Sequence, residues 1–358
     1  MNQIDEIIKE KKRIDYIDVV RGIAMLCIIA GHMGNNLIVK IVFTFHVPVF
    51  FIISGLFYRD KKGKTKDSII KLIKPYIFTV LCVALLDCVK MIAQNWVEFK
   101  HIDFISGLNV SIKDLVAGLY GSGSRVDFLN ITLTAIGAIW FYLALIWALV
   151  FLKAILQVSK TITRSTQTRN YLIYVFAILL WFVGFFSAKT IWLPVSIQSG
   201  CSAVIFLVIG MRMKGYREQY SKSIWTYIVA VVLWGGAVYF SITNDYMSLV
   251  RSAFPNPIIN IIGAVAASWC LFGVGEKIEH SIIAKPLCFF GKYSMVVLSF
   301  HLIELNIIPW GKLIHIGEGG LAWINRAIIF AVKIIWCYLG VALARKVKAL
   351  RWVYSIKE

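Results

Sequence analysis

The chain has 358 residues, 59% of them hydrophobic, and a mean hydropathy of +0.75. A soluble fold of this length could not hide so much apolar surface, so composition excludes a soluble enzyme and leaves a polytopic membrane protein. The net charge of +19 raises nucleic acid as a partner. The basic residues lie between apolar runs, however, which reads as membrane topology and contact with anionic lipid, with no nucleic-acid footprint.

The first fourteen residues, MNQIDEIIKEKKRI, are charged, and no small-residue cleavage site follows. No cleavable signal peptide is therefore expected, and 1–14 reads as a cytoplasmic N-terminal segment. Ten apolar spans follow, at roughly 15–34, 40–58, 69–93, 131–152, 171–188, 191–211, 224–242, 257–274, 287–309 and 321–343. The fifth is short, and a tight turn is expected after it at Ser187 to Ile191. With the N-terminus inside, most Lys and Arg fall in cytoplasmic segments, including 9–13, 59–66, 153–169, 212–222 and the tail from Arg345. The opposite loops hold only Lys40, Lys100, Lys113, Arg125, Lys189, Arg251 and Lys312. The expected fold class is all-α: a polytopic bundle of about ten transmembrane helices at 15–343, a basic tail at 344–358, and both termini cytoplasmic.

The longest loop, 94–130, lies outside in this reading. Ile112, Leu115, Val116 and Leu119 share one helical face there. That face fits a short interfacial helix, a lid over an outward-facing site, or a structured connector. The sequons at Asn109 and Asn130 carry no weight. The seven cysteines sit in or beside apolar runs with no CxxC pair, and read as buried small hydrophobes. Metal-site, phosphate-loop and dinucleotide patterns are absent.

Chemistry is most legible in the first two spans. Arg21 and His32 are eleven residues apart, roughly 20° from a whole number of turns, so they share a face across ~16 Å of rise. Asp18 lies on the same stripe at i, i+3 from Arg21. A charge within the bilayer costs at least ~2.5 kcal/mol, so such a stripe is a functional candidate. His46 opens the second span, near His32 across a short connection. An imidazole suits removal of a proton from a hydroxyl near neutral pH. The alternative is that each His merely joins two helices by a hydrogen bond. Arg21 either pairs structurally with Asp18, binds an anion, or does both. Ser54, in FFIISG, is a ligand donor or a packing residue beside Gly55. In the ninth span His301 and Glu304 share a face and could line the same cavity as His32. Arg326 would neutralise Glu304 or touch substrate. Asp87 and Lys90 pair structurally, and Trp140 and Phe141 read as packing or aromatic belt. His101, His280 and His315 receive no role.

These residues resemble a known family. RGIAMLCIIAGH (21–32), preceded by YIDVV and followed by FHVPVFFIISG (45–55), is similar to membrane acyltransferase family 3, in particular its fucose 4-O-acetylase-like branch. KLIKPYIF (71–78), IWFYLAL (139–145) and FFGKYSMVVLSFHL (289–302) extend the resemblance over nearly the whole chain. It implies transfer of an acetyl or other short acyl group from acyl-CoA to a hydroxyl of a cell-envelope carbohydrate, in the bacterial cytoplasmic membrane. It implies that Arg21 and His32 form the catalytic element, with Asp18, Ser54, His301 and His46 at further polar positions. Many relatives carry a fused extracytoplasmic hydrolase-type domain; a second transfer step would here need another protein.

The resulting expectation is an integral-membrane O-acyltransferase with His32 as general base, or less simply an acyl carrier. Arg21, oriented by Asp18, positions the donor. His46, Ser54, His301 and Glu304 bind substrate. No metal or tightly bound cofactor is expected; acetyl-CoA is the donor substrate. The partners are a carbohydrate or lipid-linked glycan acceptor, the lipid bilayer and glycan-biosynthesis proteins. The rival is an exporter of a polysaccharide or lipid-linked sugar, which would use the same polar path without a thioester. A purely structural subunit of a glycan synthase is the third reading.

Overall fold

An apolar run that crosses a bilayer must satisfy every backbone group internally, so it folds as a helix. The computed structural model is built from such helices and describes residues 3–61, 63–128, 131–314 and 322–356. Lys62, Asn130, His315 and the first residue of the expected tenth span, Leu321, lie outside the described residues.

The helices are α1 (Gln3–Gly31), α2 (Asn36–Val42), α3 (Pro48–Leu56), α4 (Lys64–Phe99), α5 (Phe104–Tyr120), α6 (Trp140–Ile162), α7 (Thr166–Ser187) and α8 (Ile197–Tyr220). They continue as α9 (Ile224–Thr243), α10 (Pro257–Ile278), α11 (Ala284–Lys292), α12 (Ser294–Ile307), α13 (Trp310–Leu313), α14 (Ala322–Lys346) and α15 (Lys348–Val353). Among the described residues seven helices are long and apolar enough to cross a membrane, and eight candidate spans result if α11 and α12, bent by 80° at Tyr293, count as one. The protein is thus an all-α multi-pass membrane protein. The two further expected spans correspond to α1, whose apolar half carries Asp18 and Arg21, and to α2 and α3, each too short alone.

Local chemistry explains where the elements depart from expectation. The second span is broken: residues 43–47 form turns between α2 and α3, and Pro48, which has no N–H to donate, opens α3. After α7 the expected tight turn is a longer connection, residues 188–196, ending in two left-handed residues, Val195 and Ser196. Gln198 braces it, accepting from Leu193 N (3.1 Å) and donating to the Ile191 carbonyl (2.8 Å). Between α5 and α6 lies a small antiparallel pair of strands, β1 (Val126–Phe128) and β2 (Ile131–Leu133), absent from the all-α expectation, and β2 takes up the start of the expected fourth span.

α5 does not cover the site. It packs along α4 through Gly107, Ala117 and Gly118, and Tyr76 of α4 donates to the Gly118 carbonyl at 2.6 Å. On the apolar face of Ile112, Leu115, Val116 and Leu119, Leu115 is half-buried and the other three are exposed, as in an interfacial helix. Small residues let two backbones approach, and in lipid the large apolar side chains need no protein cover. The C-terminal segment also packs inward: Tyr354 is buried 5.9 Å from Phe78, and Lys74 lies over the Trp352 ring.

Contacts near the helix termini define two ends of the bundle. At one, rich in Lys and Arg, Lys160 pairs with Asp60 and Arg217 with Glu276. At the other, Lys40 donates to the Ile242 and Asn244 carbonyls and Lys90 to that of Asn306. Asp87 also pairs with Lys90 (3.5 Å).

Two helix crossings bring backbone onto backbone. A Cβ on Gly22 would lie 2.0 Å from the Leu287 oxygen, and one on Gly291 1.8 Å from the Asp18 oxygen, which locks α1 to α11. Gly55 and Gly210 do the same between α3 and α8, where a Cβ on either would lie 2.0 Å from a carbonyl oxygen of the other helix.

Candidate active site

The exposed His32 meets the fully buried His301. His301 Nε2 lies 3.4 Å from His32 Nδ1, with the rings edge to face at 5.1 Å between centroids. His32 Nδ1 also lies 2.8 Å from the Ile28 carbonyl oxygen one turn below. A carbonyl can only accept, so Nδ1 carries the hydrogen and Nε2 keeps its lone pair. His301 Nδ1 lies 2.8 Å from Glu304 Oε1; there too the proton sits on Nδ1, and Nε2 is free to accept from His32.

Glu304 is held from three sides. Lys333 Nζ donates to both carboxylate oxygens (2.7 and 2.8 Å), Trp310 Nε1 donates to Oε2, and His301 donates to Oε1. His301 and Glu304 are fully buried, and Lys333 is 4% exposed. Pairing is what makes such burial tolerable, since an isolated charge here would cost several kcal/mol. Lys333, not Arg326, meets Glu304; Arg326 is exposed. The sequence does carry a signal for Lys333: it is a cation inside an apolar run, like Arg21.

A cavity of about 160 Å³ opens beside His32. His46 lines it too, with Met25 and Ile28 of α1, Phe43 from the break in the second span, and Trp140, Phe141 and Tyr142 from the start of α6. His46 Nδ1 donates to the Val42 carbonyl (2.6 Å), so its Nε2 also keeps a lone pair. Tyr142 donates to the Met295 carbonyl (2.7 Å) and lies 3.1 Å from Ser299 Oγ, which is 2.8 Å from Thr79 Oγ1. Trp140 and Phe141, read as belt or packing, are cavity wall. Tyr142 and Ser299 lie within the resembling segments 139–145 and 289–302 but carry no charge to single them out, and Trp310 carries neither charge nor motif.

Down the same face of α1, Arg21, Met25, Ile28 and His32 follow one another at i+4, i+3 and i+4. Arg21 therefore stands directly below the cavity-lining residues. Its Nη1 bonds Asp18 Oδ1 at 3.2 Å, and its side chain stays 33% exposed. Ser54 stands apart: its hydroxyl donates to the Phe50 carbonyl (2.8 Å) of its own helix, and it does not line the cavity. The structure thus gathers His32, His46, His301 and Glu304 into one region, sets Asp18 and Arg21 below it, and leaves Ser54 outside.

A helical membrane protein with a lone pair on a braced imidazole, opening to a cavity, has the parts of a proton-transfer enzyme. A model of an acyltransferase domain matches residues 14–343, nearly the whole chain. The chain belongs to that family, membrane acyltransferase family 3, and is an O-acyltransferase. No curated relative and no solved structure matches it.

Proposed function

We propose that the protein transfers an acetyl or other short acyl group from acyl-CoA to a hydroxyl of a cell-envelope carbohydrate, as a member of the fucose 4-O-acetylase-like branch. The observation that carries this reading is the ordered chain Lys333–Glu304–His301–His32, whose tautomers leave His32 Nε2 unprotonated beside the cavity.

The acceptor hydroxyl gives its proton to His32 Nε2 as its oxygen attacks the thioester carbonyl. The carbonyl collapses with cleavage of the C–S bond, and the proton passes from Nε2 to the leaving thiolate. The products are an ester and free coenzyme A. While His32 is an imidazolium, its Nδ1–H is held by Ile28 O and His301 Nε2, and the Glu304 carboxylate behind His301 offsets the charge. His301 and Glu304 are positioning residues in this scheme. Neutral His46 offers only a lone pair to the cavity, which suits it to accept from an acceptor hydroxyl rather than to stabilise an oxyanion.

Arg21, oriented by Asp18, binds donor phosphate. The ~16 Å of rise between Arg21 and His32 matches the reach of a phosphopantetheine arm, with the thioester at the His32 end. The basic end of the bundle faces the cytoplasm in this arrangement, by the charge rule for loops. The protein then sits in the bacterial cytoplasmic membrane with both termini inside. The family match favours group transfer over glycan export.

The test is thiol release from acetyl-CoA by purified protein in nanodiscs, with a mixture of envelope glycans as acceptors. His32→Ala is expected to lower the rate about 10²–10⁴-fold at unchanged membrane abundance. Wild-type release that survives the substitution would remove His32 from the mechanism.

A further inference from the structure

At the end of the bundle opposite the basic one, two loops reach the cavity beside His32. Gly123 comes from the connection between α5 and α6, and Met247, Leu249 and Val250 from that between α9 and α10. The loops touch, since a Cβ on Gly123 would lie 2.4 Å from Val250 Cγ2. Each carries one exposed arginine beside that contact, Arg125 soon after Gly123 and Arg251 directly after Val250. They are the only arginines among the seven basic residues expected in the outer loops. Outer loops are ordinarily poor in Lys and Arg, so two guanidinium groups at one cavity need a reason. The nearby acids do not supply it. Asp127 accepts from Thr132 Oγ1 (2.6 Å) and Asp245 from the Tyr246 N–H (2.8 Å), and neither arginine has an ion pair among the described residues. Arg251 is steadied but not used up: Nε donates to Ser248 Oγ (3.4 Å), the guanidinium carbon lies 5.9 Å from the centre of the Tyr246 ring, and neither Nη has a partner among the described residues. From there rings step inward, Tyr246 to Phe43 at 4.9 Å and Phe43 to His46 at 4.6 Å between centroids; Phe43 and His46 are cavity wall.

We infer that the acceptor is an acidic glycan, whose carboxylate or phosphate is held by Arg251 while the neighbouring sugar lies along Tyr246 and Phe43 with a hydroxyl toward His32. This rests on the acyl-transfer reading and names the class of its acceptor. A guanidinium with a free edge matches a carboxylate or phosphate through two parallel hydrogen bonds. The rings beside it offer flat apolar faces to the C–H side of a sugar. Arg125, on the facing loop, adds attraction for the same charge as the ligand approaches. A neutral glycan would use the rings and leave both cations unanswered.

The test reads binding and turnover separately, on full-length protein in nanodiscs of neutral lipid. Calorimetric titration uses two pairs of ligands: a glucuronate-containing oligosaccharide with its carboxyl-reduced form, and a glycosyl phosphate with the free sugar. The wild type is expected to bind the acidic member of at least one pair about tenfold more tightly, the worth of one charge-assisted bond. The pair that shows the preference tells carboxylate from phosphate. Arg251→Gln should abolish it and leave the affinity for the neutral member unchanged. Arg251→Lys keeps the charge but loses the fork, so it should retain only part of the preference; it decides the matter if Arg251→Gln fails to fold. Equal affinity within both pairs, or a preference untouched by these substitutions, would overturn the inference. Thiol release from acetyl-CoA with the same ligands tests the underlying reading. Preferential binding controlled by Arg251 without any release would overturn acyl transfer and leave the acidic-glycan site standing.

Discussion

The two polar stations on the inward stripe of α1 house their charges in opposite ways. At the His32 end the exposed imidazole is backed by fully buried groups: Glu304 alone receives hydrogen bonds from His301, Lys333 and Trp310. At the Arg21 end the guanidinium bonds Asp18 at 3.2 Å, and the arginine side chain as a whole stays one-third exposed. A preorganised dipole set costs nothing to rearrange during a reaction, which suits chemistry. A partly solvated cation can change partners, which suits capture and release of an anion. The difference separates a part that must not move from a part that must exchange.

The largest effect that would break the contrast lies at Lys333. Lys333→Met leaves Glu304 charged and buried without its main partner, and should cost about 3–5 kcal/mol of stability. The double variant Lys333→Met, Glu304→Gln should recover most of that loss while staying slow in transfer. Thermal unfolding of the four proteins in one detergent reads the cycle, and additive losses would deny the coupling. Arg21→Gln should behave differently, with unaltered unfolding and a KM for acetyl-CoA raised about tenfold or more at nearly constant kcat, as expected on loss of one charge-assisted bond to bound substrate. Equal loss in kcat would move Arg21 into the chemical step. The smallest change is expected at Ser54: Ser54→Ala removes a bond internal to α3 and should shift stability by under ~0.5 kcal/mol, with steady-state rates unchanged.

Ionisable residues in apolar runs made much of the site legible in the sequence. Asp18, Arg21, His32, His46, His301 and Glu304 all stand out by that rule, and the helical period aligned Arg21 with His32. Lys333 obeys the same rule and was passed over in favour of Arg326, because distance along a span says little about which side chain reaches across to a neighbour. Tyr142 and Trp310 were illegible, since an aromatic residue in or beside a span is ordinarily packing. For α5 the period identified the apolar face correctly. It could not say whether that face meets protein or lipid, because a bilayer rewards apolar exposure as well as burial. The break before Pro48 was hidden by the uniform hydropathy of residues 40–58; its effect is to lodge His46 in a turn at the cavity.

The crossing of α1 and α11 has a mechanical side. His32 stands ten residues beyond Gly22, and His301 ten beyond Gly291, on either side of the elbow at Tyr293. The crossing acts as a fulcrum made of main chain alone, with no rotamers to breathe and no methyl groups to trim. The gap between the two imidazoles is therefore gauged at a joint remote from them, in the stiffest material a protein has. Evolution can re-line the acceptor cavity with new walls from α6 and the loop before it, and the setting of the base against its brace is carried along untouched.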